Sequence, residues 1–581
     1  MIAVTGFGIV CAIGNNADEV LCSLQQGRSG VGPMRYLESK HSHLPVGEVK
    51  LSNDEMKELL GISDDSAPVS RTAMMGAIAI RQAVQDAGVA LEGKRVALVS
   101  GTTVGCMDVT EQYYQEMKTN DALLSLPMNN DCGKSTHDMA SMAGLNEVET
   151  CTVSTACSSA LNAVILGAEM LKNDEADIVI AGGSEALTRF HLNGFNTLMI
   201  LDQEPCRPFD DTRAGLNLGE GAAFLVLQKE STHAKAYISG YANRCDAFHQ
   251  TASSEQGDGA FLAMRDALAM AQLAPADIQY VNAHGTGTPD NDISESRALF
   301  RIFGNQMPEV SSTKPFTGHT TSASGSIEAV ISILAIQHDF TPCNLGWKNQ
   351  MPEGITPTLG RSGIQLSHVL CNSFGFGGND SALILSKRQS GSPTPQSVSA
   401  GSSSITLSRC EIHSTEELAA LKEFVSPMES RRMGKLMKAA ILCSCRALKA
   451  ANIETPDAII TATSRGMLEC SQQFLDDIID NDEEFLKPTL FMQSTHNTLS
   501  SAIAIRTKCH GYNITYAHGD DSLAWAMRDA ERLIRNGCAK TILVGCFDES
   551  TPLSNEFCQR AGKPAEPEVS AMAIVLTAPN T

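Results

Sequence analysis

The segment VSTACSSAL places Cys157 where an apolar stretch gives way to small residues and then to a helical pattern. Free N–H groups and the dipole at the start of a helix favour the thiolate form of a cysteine. Small neighbours also let the chain turn sharply and leave the sulfur accessible, as at a nucleophile elbow. The chain has eighteen cysteines, several of them inside apolar runs, and most are expected to pack as small hydrophobes. The context of Cys157 instead predicts a nucleophile.

Three further segments could supply groups that act with this cysteine. NAHGTGTPDND carries His284 from the end of a predicted strand into a glycine-rich loop, and STKPFTGHTTSASGSIEAV carries Lys314, His319 and Glu328 around a strand–loop–helix junction. CNSFGFGGNDSALILS contains a glycine-rich turn whose backbone N–H groups could face an oxyanion. Taken singly, each segment is also typical of a structural loop histidine or of a tight hairpin.

The elements that would position these groups follow from hydrophobic patterning. Short apolar runs such as RVALVSGT, ADIVIAGG and AAFLVLQ predict buried strands, and helical periods such as IEAVISILAIQ separate them. Strands that alternate with helices indicate an α/β fold with buried sheets. With 581 residues the chain is too long for one ordinary core, so at least two domains are expected.

Composition argues against several classes of function. The net charge of −22 disfavours nucleic acid or an anionic membrane as the main partner, because both require a basic surface. The sequence offers no CxxC pair, no histidine-rich metal spacing, no signal-peptide pattern and no apolar run of transmembrane length. We therefore expect a cytoplasmic protein with reduced cysteines, without a bound metal and without a membrane span.

One segment predicts a linker. QSGSPTPQSVSAGSSS, residues 389–404, consists mainly of Ser, Pro, Gly and Gln, a composition that cannot form a core. It divides the chain into a large module, residues 1–388, and a small module, residues 405–581.

The small module repeats part of the large one. CTVSTACSSALNAVILGAEML, from Cys151, aligns with NITYAHGDDSLAWAMRDAERL, from Asn513, and this alignment places Gly519 opposite Cys157. Other motif pairs keep the same order at a nearly constant offset, which chance rarely produces. The small module is thus predicted to be a diverged copy of roughly residues 70–190 that lacks the nucleophile. Its HGDD segment could be a metal cluster, but ordinary turn residues explain it as well.

Together and in order, TACSS, NAHGTGT, the segment from KPFT to GHT and NSFGFGG resemble the β-ketoacyl-acyl-carrier-protein synthases of the Cys-His-His type. The start VTGFGIV and the segment RPFDDTRAGLNLGEGAAFLVL are also similar to this family, and the resemblance covers nearly all of residues 1–388. It implies a thiolase-type α/β fold in which two similar halves, here 1–245 and 246–388, pack as α-β-α-β-α layers.

The resemblance also implies a decarboxylative condensation. Cys157 would accept an acyl group from a thioester on acyl carrier protein, which splits one difficult step into two easier ones. A malonyl thioester would then enter and lose carbon dioxide, and His284 and His319 would stabilise the enolate. The substrates would arrive on the phosphopantetheine arm of the carrier, so no further cofactor is expected.

Other residues match supporting positions of the family. The N–H groups of Cys157 and Phe376 match the oxyanion hole, and Phe374 or Phe376 would gate the acyl pocket. Lys314 and Glu328 match an ion pair that supports the histidine loop.

The match has departures, and they leave alternatives open. The usual GGTN is replaced by GGND, which ends in Asn379 and Asp380, and this leaves the acyl or carrier preference open. The branch primed by coenzyme A usually has Asn in place of His319, so it fits less well. A thiolase would need a second catalytic cysteine, and Cys371 stands only near that position.

The small module resembles the chain length factors that pair with ketosynthases in type II polyketide and aryl polyene pathways. Such a copy could dock on the catalytic module as a pseudo-subunit and form an intramolecular pseudo-dimer, with or without further assembly as a homodimer. The family places the segment before the elbow against the neighbour's acyl pocket, so Phe491 and Met492 of LKPTLFMQSTHN are predicted tunnel residues.

Three functions therefore compete. The first is a ketosynthase that extends a fatty acyl, polyketide or aryl polyene chain with a tunnel shaped by the small module. The second is ordinary fatty-acid elongation with a vestigial tail, and the third is a non-catalytic scaffold that binds a carrier protein. Arg71, Arg431 and Arg432 could form a basic docking patch for the carrier or could be solvated helix ends.

Overall fold

The structure is a computed structural model, and it describes residues 1–63, 67–128, 131–387 and 404–579. The predicted linker therefore lies outside the described residues, apart from its last residue, Ser404. Strands and helices alternate through both modules, as an α/β fold requires.

The strands found in the described residues are β1 (Ile2–Cys11), β2 (Val96–Gly101), β3 (Glu149–Val153), β4 (Ile178–Glu185), β5 (Gly221–Gln228), β6 (Ala236–Cys245), β7 (Tyr280–Asn282), β8 (Glu309–Ser311), β9 (Phe340–Thr341), β10 (Arg361–Ser362), β11 (His368–Gly375), β12 (Asn379–Ser386), β13 (Ile405–Ile412), β14 (Ala458–Ala462), β15 (Tyr512–Tyr516), β16 (Thr541–Glu549) and β17 (Val569–Thr577).

The helices are α1 (Ala17–Gln25), α2 (Asn53–Leu60), α3 (Arg71–Ala87), α4 (Met107–Met117), α5 (Ser125–Met128), α6 (Cys132–Ala143), α7 (Ser159–Lys172), α8 (Arg189–Thr197), α9 (Asp258–Ala271), α10 (Pro289–Phe303), α11 (Lys314–Thr317), α12 (Ser324–His338), α13 (Pro427–Ser430), α14 (Lys435–Ala450), α15 (Leu468–Asp480), α16 (Pro488–Ser494), α17 (Thr498–Thr507), α18 (Ser522–Arg535) and α19 (Pro552–Arg560). Short 3-10 helices lie at Asp121–Leu123, Pro275–Asp277, Thr321–Ala323, Thr415–Glu423 and Gly519–Asp521.

Three successive sets of five strands share one topology. In β1–β5 the spatial order is β3-β2-β4-β5-β1, with β2 parallel to both neighbours and β5 antiparallel to both. The same order and directions recur in the set β6, β7, β8, β11 and β12. They recur again in β13–β17. The second unit begins with β6, whose residues lie before the half boundary that we expect at residue 245.

The repeat is wider than its motifs predict. The aligned motifs correspond only to residues 70–190, but β13 and β17 take the places of β1 and β5 in the third unit. The sequences of β13 and β17, ITLSRCEI and VSAMAIVLT, differ from those of β1 and β5, so the motif alignment does not detect these two strands. The third unit therefore contains a complete five-strand sheet.

The first two units form five layers. Helix α3 covers the outer face of the first unit, and α9 and α10 cover the outer face of the second. Helices α7 and α12 lie between the two units and are buried along almost their whole length. This arrangement is the α-β-α-β-α order expected from the sequence.

The third unit extends the sheet of the first. β15 pairs antiparallel with β3 at Tyr516 and Val153, and the N–H groups of Ser154 and Ala517 donate across the junction at 2.9 and 3.0 Å. Because β1 and β6 also pair, at Ile2–Val4, where the sheets of the first two units meet, hydrogen bonding is continuous through all fifteen strands of this sheet in the described residues. The small module therefore docks beside the strand that leads to Cys157.

No helix of the described ranges is both long enough and apolar enough to cross a membrane.

Candidate active site

Cys157 lies on the sharp turn between strand β3 and helix α7. Ala156, directly before it, has a φ of +52°, a left-handed conformation that a residue with a Cβ adopts only under constraint. Ser159 supplies that constraint, because its Oγ accepts from the Thr155 N–H at 2.9 Å and donates to the Ala156 carbonyl at 2.6 Å. The turn thus holds the cysteine in a fixed place at the start of the helix.

The imidazole of His319 faces the sulfur, with its Nε2 3.2 Å from Sγ of Cys157. Its other nitrogen, Nδ1, lies 2.9 Å from Oγ of Ser324. A serine hydroxyl can donate or accept, so His319 can carry its proton on either nitrogen. It can therefore accept the thiol proton at Nε2 and, in the other tautomer, donate from Nε2.

An ion pair fixes the proton of His284, whose ring centroid is 5.4 Å from that of His319. Lys314 Nζ lies 3.3 Å from Nδ1 of His284, 2.5 Å from its carbonyl oxygen and 2.6 Å from Oε1 of Glu328. An ammonium group has donors only, so Nδ1 must accept and the ring proton sits on Nε2. The predicted ion pair thus lies next to the histidine loop and makes His284 an N–H donor.

Burial keeps the reacting centre uncharged at rest. It raises the pKa of the Cys157 thiol to about 12, although the Lys314 charge and the Phe376 N–H act in the opposite direction. Burial, followed by the charge of Lys314, lowers the pKa values of His284 and His319 well below their usual range. The expected thiolate is therefore not the resting form, because desolvation outweighs the effect of the helix start.

Cys157 stands between two cavities, together with Phe195 and Phe376. The two phenyl rings stack with centroids 5.7 Å apart and planes 20° apart. The outer cavity, of about 420 Å³, is also lined by both histidines and by Phe374, whose ring centroid is 5.6 Å from that of His284. The inner cavity is smaller, about 90 Å³. Phe376 thus lies between the two spaces, and Phe374 lies on the outer side.

The walls of the inner cavity come from both modules. The Phe491 ring centroid lies 5.5 Å from that of Phe195 and 5.9 Å from that of Phe190. A Cβ at Gly194 would come within 2.2 Å of the Phe491 ring, so the ring packs directly on the backbone of α8. Met492, the other predicted tunnel residue, does not line either cavity.

The structure aligns the two strand-to-helix turns one residue away from the alignment of their sequence motifs. Gly519 has a φ of +56° and occupies the place of Ala156. In each copy the serine that begins the following helix donates to the carbonyl of this left-handed residue, at 2.7 and 2.6 Å. The predicted match of Gly519 with Cys157 is therefore wrong, because the strand-to-helix spacing places the exposed Asp520 at the nucleophile position.

His518 of the second elbow belongs to the contact between the modules. Its Nδ1 lies 2.9 Å from Oγ1 of Thr152 and its Nε2 lies 3.2 Å from Oγ1 of Thr150. Within the described part of the chain, no group of three or more His, Cys, Asp and Glu side chains is placed to hold a metal ion.

Sequence reasoning missed three residues of the site. Glu295 accepts from the N–H groups of His284 and Gly285 at 2.9 and 2.8 Å and so fixes the histidine loop. Phe195 stacks on the predicted gate, and Asn497 of the small module donates from Nδ2 to the Phe376 carbonyl at 2.8 Å. Glu295 follows the HGTGT motif on the next helix, so a search for acidic partners of that loop could have found it.

Other candidates lie elsewhere. Cys371 is fully buried in the core between the first two units and lines neither cavity. Arg71 is buried and bound to Glu220 at 2.7 Å, so it is not part of a surface patch, whereas Arg431 and Arg432 are exposed.

Comparison with known families supplies the identity of this arrangement. Residues 1–233 match the model of the β-ketoacyl synthase N-terminal domain, and residues 235–348 match that of the C-terminal domain. Residues 406–581 match a further model of the N-terminal domain. The chain is 33% identical over 415 residues to a 3-oxoacyl-[acyl-carrier-protein] synthase 2 of Synechocystis sp., with 67% of this chain and 98% of the relative covered. The chain belongs to the β-ketoacyl synthase family.

This β-ketoacyl synthase is an acyltransferase that lengthens acyl chains by Claisen condensation. It resembles a ketosynthase in complex with its chain length factor from Xenorhabdus doucetiae, at 29% identity and a TM-score of 0.59. That likeness covers 67% of this chain and 98% of the other.

A second solved structure matches nearly the whole synthase. The PfaC keto synthase–chain length factor has a TM-score of 0.79 and covers 99% of this chain and 78% of its own. At 17% identity this likeness shows the fold alone. The predicted thiolase-like fold with an added N-terminal-type half is thus confirmed.

Proposed function

We propose that Cys157 accepts an acyl group and condenses it with a malonyl unit delivered by acyl carrier protein, and that the small module shapes the acyl tunnel. The observation that carries this proposal is the contact of 3.2 Å between Cys157 Sγ and His319 Nε2, on a ring that lies beside His284. The Synechocystis relative is, by its name, a synthase of 3-oxoacyl-[acyl-carrier-protein], which supports acyl carrier protein as the partner that delivers the substrates.

The first half-reaction transfers the acyl group to the enzyme. Because the thiol is neutral, His319 Nε2 takes its proton as the sulfur attacks the thioester carbonyl. The N–H groups of Cys157 and Phe376 would hold the oxyanion. The tetrahedral intermediate then expels the carrier thiolate, which takes the proton back from His319.

The second half-reaction joins the two units. The malonyl thioester oxygen would accept from Nε2–H of His284 and from Nε2–H of His319 in its other tautomer. Loss of carbon dioxide leaves an enolate, and neutral imidazoles suit its stabilisation because they are donors that need not ionise. The enolate carbon attacks the acyl carbonyl on Cys157, and the bond to sulfur breaks. The departing sulfur takes the Nε2 proton of His319, a proton from solvent restores the imidazole, and the β-ketoacyl product leaves on its carrier.

The small module would act as a chain-length-factor-like partner. Phe491 lies in the wall of the inner cavity, which Cys157 and Phe195 also line. The observation that favours a tunnel role over a vestigial tail is that this ring packs on Gly194 of the catalytic module.

Acyl loading tests directly whether Cys157 is an enzymatic nucleophile. The full chain and its Cys157→Ala variant are incubated with an acyl carrier protein that bears a short acyl thioester, and the intact masses are measured. We expect one acyl adduct on the unmodified chain and none on the variant, with the adduct chased to a β-ketoacyl product by malonyl carrier. The matched control is Cys371→Ala, which should load normally. Absence of the adduct on the unmodified chain would contradict the proposal.

A further inference from the structure

We propose that Asn497 of the small module is a positioning residue for the acyl transfer catalysed by the large module. This inference rests on the proposed function, and it gives the small module a role in the chemistry in addition to its place in the tunnel wall. Its side chain holds the turn that carries Phe376, the residue whose N–H faces the nucleophile.

The turn runs from Gly375 to Gly378. The Gly378 N–H donates to the Gly375 carbonyl at 3.1 Å, and Gly377 has a φ of +87°. A positive φ at the third position is the mark of a type II turn, whose central peptide can rotate to the alternative type I form. The central peptide here joins Phe376 to Gly377, so its orientation needs to be fixed from outside the turn.

Both ends of this central peptide are held. The Gly377 N–H donates to the carbonyl of Gln250 at 2.7 Å. The Phe376 carbonyl accepts from Asn497 Nδ2 at 2.8 Å, which is the contribution of the small module. The amide also lies against the turn itself, because a Cβ at Gly377 would be 2.8 Å from Nδ2. Truncation of the Asn497 side chain therefore removes one of the two hydrogen bonds that hold this peptide.

Phe376 couples this anchor to catalysis. Its N–H interacts with the Cys157 sulfur, and its ring stacks on Phe195 between the two cavities. The anchored carbonyl carbon is bonded to Cα of Phe376, so release of the carbonyl loosens this Cα, to which both the N–H nitrogen and the ring are attached. Small displacements of positioning groups have large effects on rate, so a loose turn should slow the step that uses this N–H.

The burial of Asn497 supports a specific role. The residue is 1% exposed and directly precedes helix α17, and its carbonyl accepts from Ser501 N–H at 3.0 Å, so its position is rigid. Its Oδ1 has no hydrogen-bond partner among the described residues. A buried amide that leaves one atom unsatisfied is costly, and the bond to Phe376 is what offsets that cost.

The test separates the two half-reactions in the full chain. Acylation of Cys157 by acyl carrier protein is followed by intact mass in single turnovers, and decarboxylation of malonyl carrier is followed by release of carbon dioxide. We expect Asn497→Ala to slow acylation about 10- to 100-fold and to leave decarboxylation nearly unchanged, because that step uses the two histidines. The matched control is Arg528→Ala, which changes an ion pair between the modules on helix α18 and should affect neither step.

A nearly isosteric variant gives a readout that a purely structural role would not change. In Asn497→Asp the ionised side chain repels the Phe376 carbonyl, but the protonated side chain can donate to it. Burial raises the pKa of a carboxyl, so the acylation rate of this variant should recover as the pH falls, and that of Asn497→Ala should not. Acylation at the wild-type rate in both variants would overturn the inference. Equal losses of rate in acylation and decarboxylation, without recovery of acylation at low pH, would also overturn it. A wild-type chain that is never acylated would instead refute the proposed function.

Discussion

The outer cavity contains a carboxyl group that has no role in the two half-reactions at Cys157. Asp380 is 7% exposed and lines this cavity, at a position where the family usually has Asn. Burial, followed by the charges of Asp246 and Glu295, raises the pKa of Asp380 well above its usual range. The environment therefore favours the neutral carboxyl, which resembles the amide of asparagine.

The pKa of Asp380 predicts a pH-dependent effect of Asp380→Asn on stability. Between the low pKa of an unfolded aspartate, about 3.9, and the raised value in the folded protein, the group is protonated only when folded. Stability is therefore lost as the pH rises through this window. We expect Asp380→Asn to raise the thermal midpoint at pH 8 and to have a smaller effect at pH 5.

The control for this prediction is Asp246→Asn. Asp246 accepts from the N–H groups of Ser254 and Gly259, at 2.6 and 2.9 Å, so its loss as an acceptor should lower stability at both pH values. A gain from Asp380→Asn that is the same at pH 5 and pH 8 would contradict the pH assignment.

At the scale of elements, helices α8 and α16 meet at the inner cavity. Phe491 of α16 lies between Phe195 and Phe474, whose ring centroids are 5.5 and 5.7 Å away, and it packs on the backbone of α8. Aromatic rings at such distances stabilise the contact beyond the area that they bury. One side chain therefore both joins the modules and limits the cavity.

Truncation of this side chain should change the length of the products. Phe491→Leu removes part of the cavity wall, so we expect the distribution of acyl products to shift to longer chains, as measured by mass spectrometry of carrier-bound products. The neighbouring Met492→Leu is the matched control, because Met492 lines neither cavity and its products should be unchanged. Equal shifts in both variants, or none in Phe491→Leu, would speak against a tunnel wall at Phe491.

At the scale of the whole molecule, the third unit joins the sheet of the first by an edge strand, and in the described part of the chain no second half of its own covers helix α18. Helix α7 is buried along nearly its whole length between two units, whereas its counterpart α18 exposes charged residues such as Arg535. The third unit is thus complete without a second half of its own. Its buried contact with the catalytic module contains Arg532, which is bound to Asp529 at 2.5 Å and to Glu175 at 3.1 Å.

Loss of Arg532 should weaken the docking of the modules. Arg532→Ala removes the counter-ion of the buried Asp529, which keeps only the Tyr512 hydroxyl, and one of the cations on Glu175, which keeps Arg528. Breaking a buried pair such as Arg532–Asp529 costs about 3–5 kcal/mol. Arg535 is 42% exposed and 3.9 Å from Glu175, so Arg535→Ala should cost less than about 1 kcal/mol. Denaturant unfolding of both variants measures the difference, and equal midpoints would contradict this assignment.

The sequence alone determined the reactive groups and the family. The turn context of TACSS predicts Cys157 as a nucleophile, and the joint resemblance of TACSS, NAHGTGT and GHT to the family adds His284 and His319. The repeat and the α/β pattern were readable for the same reason, since strand and helix periods are local. The layered arrangement was implied by the resemblance to the family and not by the periods themselves.

Only the tertiary structure decided the contacts made between distant parts of the chain. Asp520, and not Gly519, is the counterpart of Cys157 in the third unit, because the spacing between strand and helix sets the correspondence and residue similarity does not. The contact of Asn497 with Phe376 joins residues of different modules, and no local pattern records it. The neutral thiol also depends on burial by the surrounding layers, and burial is a property of packing that a sequence motif does not contain.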